Sequence, residues 1–467
     1  MFKNNKYNFT AIMLWMAYFA HGIQAILISQ NAKFFAMKWG LFSQETLDLA
    51  KQYDFSLLYD NVDTALSNNI FSESVSELLK TGISEATAAV LAVVVWTGIG
   101  KISFLIFSGP LSDRVGRKPL IVTGLVGYVV MFGSFLIATD VTVANILAFI
   151  GGAMTSLYDG AINPALFEMY PKNKATASIL SKALISVSSI LYPLFVAFLV
   201  ANRMSAEIGI MVPFVISVAV LAGVLFSRFP DSDLRKEKGL SATQAIKELE
   251  KEQATGATAV SMKRKNEASF AIDGVVLPLF ALTIYSNFYL FQQASKIYAQ
   301  HVLHMSDAAA ASVTSLYQLG GLVATIVFSF FMARGVRDIA ILVISPIFAG
   351  LAGLAVYFAP SPTTLTIAGI VVGFSSAGGL LQMGNAVLNQ FFDTNKGRNT
   401  TIYYFVMALG SYIVPQAAAS LIAAGQAEAI MLIVAGTGIA SAALMFFAGT
   451  RYRHIFGVSI FSSSKKD

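Results

Sequence analysis

The sequence predicts an all-α membrane protein, with twelve transmembrane helices in two pseudo-symmetric six-helix bundles. Three observations carry that prediction: a composition too apolar for water, apolar runs of about twenty residues recurring along the chain, and basic residues gathered on one side of the predicted helices. Of 467 residues, 56% are hydrophobic and 12% charged, whereas soluble domains run near 45–50% and about 25%. The same excess excludes disorder. The abundance of Phe and Gly over Pro (36, 35 and 12) suits long apolar helices packed through small residues. Cysteine is absent, which removes disulfides, thiolate metal sites and cysteine nucleophiles.

The apolar runs place helices at 9–32, 86–108, 119–139, 142–168, 177–200, 207–227, 271–296, 308–332, 338–358, 363–391, 400–424 and 429–449. Transmembrane strands would be about ten residues long with strict alternation, and no such pattern occurs. Lys3 and Lys6 precede the first run. That run exceeds the roughly 7–15 apolar residues of a signal core, so it reads as a retained helix.

Orientation follows from the cations. With the N-terminus in the cytoplasm, 24 of the 32 Lys and Arg fall in inner segments, six outside (Lys33, Lys38, Lys51, Lys80, Arg203, Lys296) and two within spans (Lys101, Lys182). The positive-inside rule then puts both termini in the cytoplasm, and an even number of spans agrees. The net charge of +6 is thereby explained by topology and does not point to nucleic acid.

The resulting organisation is an N-terminal bundle over 1–227, a charged cytoplasmic linker over 228–270, a C-terminal bundle over 271–450 and a cytoplasmic tail over 451–467. Residues 40–85 form an outer insertion with eight acids and periodic Leu, Val and Phe. That pattern suits a pair of short amphipathic helices over the outer mouth.

An internal repeat supports two equivalent halves. A shift of 222 residues superposes Asn163 on Asn385, Asn173-Lys174 on Asn395-Lys396 and Pro193 on Pro415. For the first and seventh helices the shift is 263, bringing Gln30-Asn31-Ala32-Lys33 onto Gln293-Ala294-Ser295-Lys296. The difference of 41 residues is close to the length of the insertion, which therefore belongs to the first half alone. Two equivalent halves with a site near the midplane are the architecture of alternating-access transporters.

Between the second and third helices stands Gly109-Pro110-Leu111-Ser112-Asp113-Arg114-Val115-Gly116-Arg117-Lys118. Its glycines permit a tight turn, and one acid among three cations can form an ion-pair cluster that locks one conformation. A basic turn that merely obeys topology is the alternative. The stretch resembles the signature of the major facilitator superfamily, and the resemblance extends over twelve helices, two halves and a central loop. A worn copy, Met332-Ala333-Arg334-Gly335-Val336-Arg337-Asp338, follows the eighth helix. The resemblance implies a gating role for Gly109, Asp113, Arg114, Gly116, Arg117 and Lys118, with Asp113 meeting the eleventh helix in the outward-open state. A narrower resemblance, to the YdiN-like inner-membrane transporters of bacteria, rests on Phe19-Ala20-His21-Gly22, Asn163-Pro164-Ala165-Leu166, Gly373-Phe374-Ser375-Ser376-Ala377-Gly378-Gly379 and Phe391-Phe392. The outer insertion departs from that pattern.

Ionisable groups inside a membrane are costly and mark function. At 1.5 Å per residue, His21 lies about 18 Å into the first helix, near the midplane. Lys101, Asp159 and Lys182 fall in the inner half of the second, fourth and fifth helices. Asp159 and Asn163, four apart, share a face. Asp159, His21 and Glu168 are the candidates for proton coupling. The alternatives are an ion pair of Asp159 with Lys182, a non-titrating His21 and a solvated Glu168 at its helix end. Candidate substrate contacts are His21, Gln24, Lys101, Asn163, Lys182, Asn287, Gln293, Gln382, Asn385, Asn389 and Tyr403; as a structural alternative, any of the amides can be interhelical glue. Lys101 or Lys182 is the natural counterion if the solute is a carboxylate. The Gly378-Gly379 pair is expected at a close helix contact.

Catalytic signals are absent. There is no His-Glu-x-x-His, and Gly100-Lys101 lacks the rest of a phosphate loop. Gly373-x-Ser375 lacks the second glycine of a nucleophile elbow. No catalytic residue, metal or cofactor is expected. The sequence thus predicts a monomeric secondary transporter, in contact with the bilayer, for a small polar or anionic metabolite with the proton as coupling ion. The alternatives are a drug or metabolite exporter working by proton antiport and, from another class, a non-transporting membrane receptor.

Overall fold

Helices, with no strand, form the secondary structure of the described residues in a computed structural model that describes residues 5–254, 264–392 and 396–462. Lys3, part of the linker, Asn395 of the repeat and the tail beyond 462 lie outside the described residues.

The first membrane-spanning segment is broken into α1 (Asn8–Gln24), α2 (Leu27–Gln30) and α3 (Ala32–Lys38). Two short helices follow, α4 (Gln44–Gln52) and α5 (Val62–Ser67), then α6 (Glu73–Val115), α7 (Arg117–Ile137), α8 (Val141–Met169), α9 (Lys174–Ala201) and α10 (Glu207–Phe226). The linker carries α11 (Pro230–Lys238) and α12 (Ala242–Ala254). Beyond it run α13 (Asp273–His301), α14 (Asp307–Ala333), α15 (Asp338–Phe358), α16 (Pro362–Val372), α17 (Leu380–Phe391), α18 (Lys396–Ala423) and α19 (Ala429–Phe456). A π turn over Gly373–Ala377 joins α16 to α17 as one interrupted span.

Eleven helices among the described residues are long and apolar enough to cross a membrane. The broken first segment, whose longest helix has 17 residues, completes the twelve that the sequence predicts. Large apolar side chains cover the outside: Ile137, Phe226 and Phe358 are 78%, 86% and 77% exposed. Exposure on that scale fits lipid rather than water as the surrounding solvent.

Three sequence expectations change in detail. The insertion does carry two short helices, with Ser43 accepting from the Thr46 N–H and Asn61 from the Asp63 N–H as their caps. Its last stretch, however, belongs to α6, which is 43 residues long because polar turns from Glu73 onward continue the spanning helix. The turn of the motif is also tighter than expected. Helix α6 runs through Gly109 and Pro110 to Val115, so Gly109 is helical, and the reversal falls on Gly116 alone, at φ +101°. Finally, the glycine pair divides its roles. A Cβ on Gly378 would collide with Ala324 of α14, the expected close contact, whereas Gly379 takes φ +98° to start α17 after the π turn.

The described residues form two compact units by their internal contacts. One comprises Met1–Leu27, Trp96–Ser189 and Glu207–Val260; within it α7 packs on α8 and α10, and α1 packs on α10 and α8. The other comprises Ile28–Val95, Ile190–Ala206 and Ser261–Asp467; within it α13 packs on α18 and α19, and α15 on α19. The insertion and the nearby ends of α6 and α9 belong to this second unit, so the units cut across the consecutive halves of the sequence.

Candidate functional site

In the first unit the spanning helices bring His21, Gln24, Lys101 and Asp159 into one neighbourhood. His21 Nδ1 lies 2.8 Å from the Tyr128 hydroxyl of α7, which lies 2.9 Å from Thr155 Oγ1 of α8. Thr155 Oγ1 also lies 3.0 Å from the Gly151 carbonyl and 3.4 Å from Gln24 Oε1, either of which can accept its proton. The Tyr128 and Thr155 hydroxyls can each donate or accept, and His21 Nδ1 does either according to its tautomer. The network thereby orients the His21 ring. Tyr128 also stacks on Tyr158, with centroids 4.9 Å apart, so the ring that orients His21 is itself held by packing.

Asp159, one turn beyond Thr155 on α8, is half-buried and close enough to Tyr18 and His21 to act on both electrostatically. Lys101 of α6 also acts on His21, and its carbonyl accepts from Ser156 of α8 at 2.7 Å. Asn163 lies a further turn along α8 and is half-buried. No ion pair joins Asp159 to Lys182 among the described residues, and Lys182 is half-buried. The expected Asp159–Lys182 pair is therefore corrected: both charges lie within the helix bundle and neither neutralises the other.

The motif forms a second cluster in the same unit. Arg117, 3% exposed, donates from Nε to Glu168 Oε1 at 2.8 Å and from Nη1 to Asp113 Oδ1 and Ser112 Oγ, both at 2.7 Å. The Glu168 side chain is only 4% exposed. The reading of Glu168 as a solvated helix-end carboxylate is thus corrected; it is the buried partner of Arg117. Asp231 of α11, fully buried, accepts from the Arg117 backbone N–H at 3.1 Å. Lys118 donates to the Leu225 and Ser227 carbonyls at 2.7 and 2.9 Å, closing the C-terminal end of α10. Arg114 is exposed.

The second unit carries the other amides. Asn287 is fully buried and donates to the Val434 carbonyl at 2.6 Å, the geometry of interhelical glue. Gln293 is buried beside Tyr289. Asn389 donates to the Asn385 carbonyl at 3.0 Å and to Thr400 at 2.9 Å, tying α17 to α18. Tyr403 is buried against Gly384, while Gln382 is exposed and Asn385 half-buried.

Sequence reasoning missed Tyr128, Thr155 and Asp231. A tyrosine or threonine within an apolar run is indistinguishable from core, although Thr155 stands four residues before Asp159 on the same face. Asp231 was legible as the third residue of Phe229-Pro230-Asp231, where proline opens a helix.

Membrane helices that hold ionisable side chains within the bundle, with a motif whose Arg117 pairs with buried Glu168 and half-exposed Asp113, fit a multi-pass membrane transporter. The chain belongs to the Major Facilitator Superfamily, whose signature matches residues 10–294 and 277–456. It therefore moves small solutes across a membrane and binds them within it. Among its relatives, the inner membrane transport protein YdiN of Escherichia coli (strain K12) is 26% identical over 404 residues, 86% of this chain and 81% of that protein. The inner membrane transport protein YdiM of the same strain is 28% identical over 342 residues, 72% and 78% of the two chains. The YdiN-like resemblance read from the motifs thus holds. In fold, the chain is similar to the xylose transporter XylE from E. coli in a partially occluded inward-open conformation, with a TM-score of 0.62 at 14% identity over 95% of this chain and 97% of that one.

Proposed function

We propose that the protein is a secondary active transporter of a small polar solute, with a carboxylate as the favoured class, working by alternating access and coupled to protons. The observation that carries this reading is the His21–Tyr128–Thr155 network beside Asp159 and Lys101. An acid and an imidazole close together inside the bundle supply a site where a proton can bind and leave. Asp159 carries the coupling proton, and His21 responds to its charge. Lys101 and Lys182, both within the bundle and half-buried, provide cationic contacts for a carboxylate. Gln24 and Asn163 add neutral hydrogen bonds.

The Asp113–Arg117–Glu168 cluster acts as the lock of one conformation, with 1–227 and 271–450 as the pseudo-equivalent halves and both termini cytoplasmic. The cluster is suited to this because Arg117 and Glu168 are buried and paired, whereas Asp113, with 49% of its side chain exposed, can release its bond at small desolvation cost.

The test is a thermal-unfolding screen of the purified protein against aliphatic and aromatic carboxylates, sugars, amino acids and cationic drugs, since a ligand that binds the native state raises its stability. Carboxylates are expected to stabilise the protein. Stabilisation by sugars or cationic drugs with no response to carboxylates would reject the proposed solute class.

A further inference from the structure

The two stretches aligned by the internal repeat, Gln30-Asn31-Ala32-Lys33 and Gln293-Ala294-Ser295-Lys296, meet in the second unit. Lys296, 4% exposed, donates to the Gln30 carbonyl at 3.0 Å and pairs with Asp307 of α14 at 3.1 Å. Asp307 also accepts from Gln300 at 3.0 Å. Lys33 is close enough to Lys296 and Asp307 to interact with both, yet forms no ion pair among the described residues; its contact is the Asp60 carbonyl at 3.4 Å. The neighbouring acids are committed elsewhere, Asp60 to Arg203 at 2.8 Å and Asp63 to Lys80 and His304 at 2.6 and 2.7 Å. Two ammonium groups therefore share the Asp307 carboxylate, and half-buried Lys33, on which Asp60 and Asp63 also act, has no ion pair of its own among the described residues.

Gln30 supplies an independent sign of a ligand. It is 2% exposed, and neither its amide nitrogen nor its amide oxygen has a hydrogen-bond partner among the described residues. Buried amides in folded proteins are ordinarily satisfied. Gln30, Lys33, Lys296 and Asp307 line a cavity of about 30 Å³. At roughly 10–15 Å³ for one water-sized body, it has room for a small ionic head. A second cavity of about 490 Å³ shares Lys33, Tyr59, Gln300 and Asp307 with it, enough for the body of a larger molecule.

We propose that this is a binding site for a singly charged anion, the carboxylate head of a small organic acid or a halide, held between Lys33 and Lys296 with the Gln30 amide donating. One negative charge balances the local excess. A dianion would overshoot it, and a cation would meet two ammonium groups. The site is separate from the His21–Asp159 network and does not rest on the transported solute being an acid.

The test titrates the purified full-length protein with sodium acetate and, separately, sodium chloride while following thermal unfolding. A saturable rise in stability is expected. Saturation by acetate alone identifies a carboxylate site, and saturation by chloride identifies a halide site. Lys33→Gln should weaken the apparent affinity by about tenfold or more, the loss expected for one charge-assisted hydrogen bond, and Lys33→Arg should retain it. Gln30→Leu, similar in volume and free of the unpartnered amide, should fold and also bind more weakly, which keeps the test open should Lys33→Gln fail to fold. A response that does not saturate in the wild type, or identical saturation in wild type, Lys33→Gln and Gln30→Leu, would overturn the proposal.

Discussion

The hydroxyl of Tyr128 orients His21, because it stands between the imidazole and Thr155 and bonds to both. Tyr128→Phe is expected to cost about 1 kcal/mol of stability, the net worth of a buried hydrogen bond. It should also change the pH profile of transport, because the hydrogen bond that holds His21 Nδ1 is lost. Thermal unfolding and pH-dependent uptake check the two effects separately. Arg117 presents the opposite case. Arg117→Ala would leave Glu168 buried without its cation and should destabilise the protein by about 3–5 kcal/mol, whereas Asp113→Ala should cost far less because Asp113 is half-exposed. His21 and Asp159 were legible in the sequence since an ionisable group in an apolar run stands out by its cost. The pairing of Glu168 with Arg117 was not, because the two lie 51 positions apart and only the packing of α7 on α8 joins them.

At the scale of the helices, the one-residue reversal between α6 and α7 concentrates strain at a single position. Gly116→Ala forces a Cβ into a left-handed backbone at φ +101° and against Asp231, and is expected to cost about 1–2 kcal/mol. Gly109→Ala, in the helix with open space around its Cβ, should instead stabilise by about 0.5–1 kcal/mol. Equal melting temperatures for the two variants would contradict the placement of the turn. Hydropathy made the spans visible because crossing a bilayer demands a fixed apolar length. It could not mark where helices continue into polar turns, as α6 does from Glu73, nor where they break, as at the π turn after Val372. Those features depend on local hydrogen bonding and on Gly378 meeting Ala324, neither of which alters the apolar content of the run.

For the whole molecule, the lack of native cysteine makes orientation directly measurable. Ile70→Cys in the insertion and Lys247→Cys in the linker, both at exposed positions, should react with a membrane-impermeant thiol reagent from opposite faces. In intact cells the first is expected to label and the second to label only after lysis; the reverse would invert the topology read from the cations. Asp113→Asn should slow transport while solute binding persists, since the proposed lock acts on conformation rather than on the solute; loss of binding with normal cycling would reject that role. The central claim, that Asp159 carries the coupling proton, is tested most directly by uptake into proteoliposomes under an imposed proton gradient, using the carboxylate that most stabilises the purified protein. The wild type should accumulate the solute above equilibrium and lose that accumulation with a protonophore, while Asp159→Asn should exchange solute without accumulating it. Undiminished gradient-driven accumulation by Asp159→Asn would contradict the account.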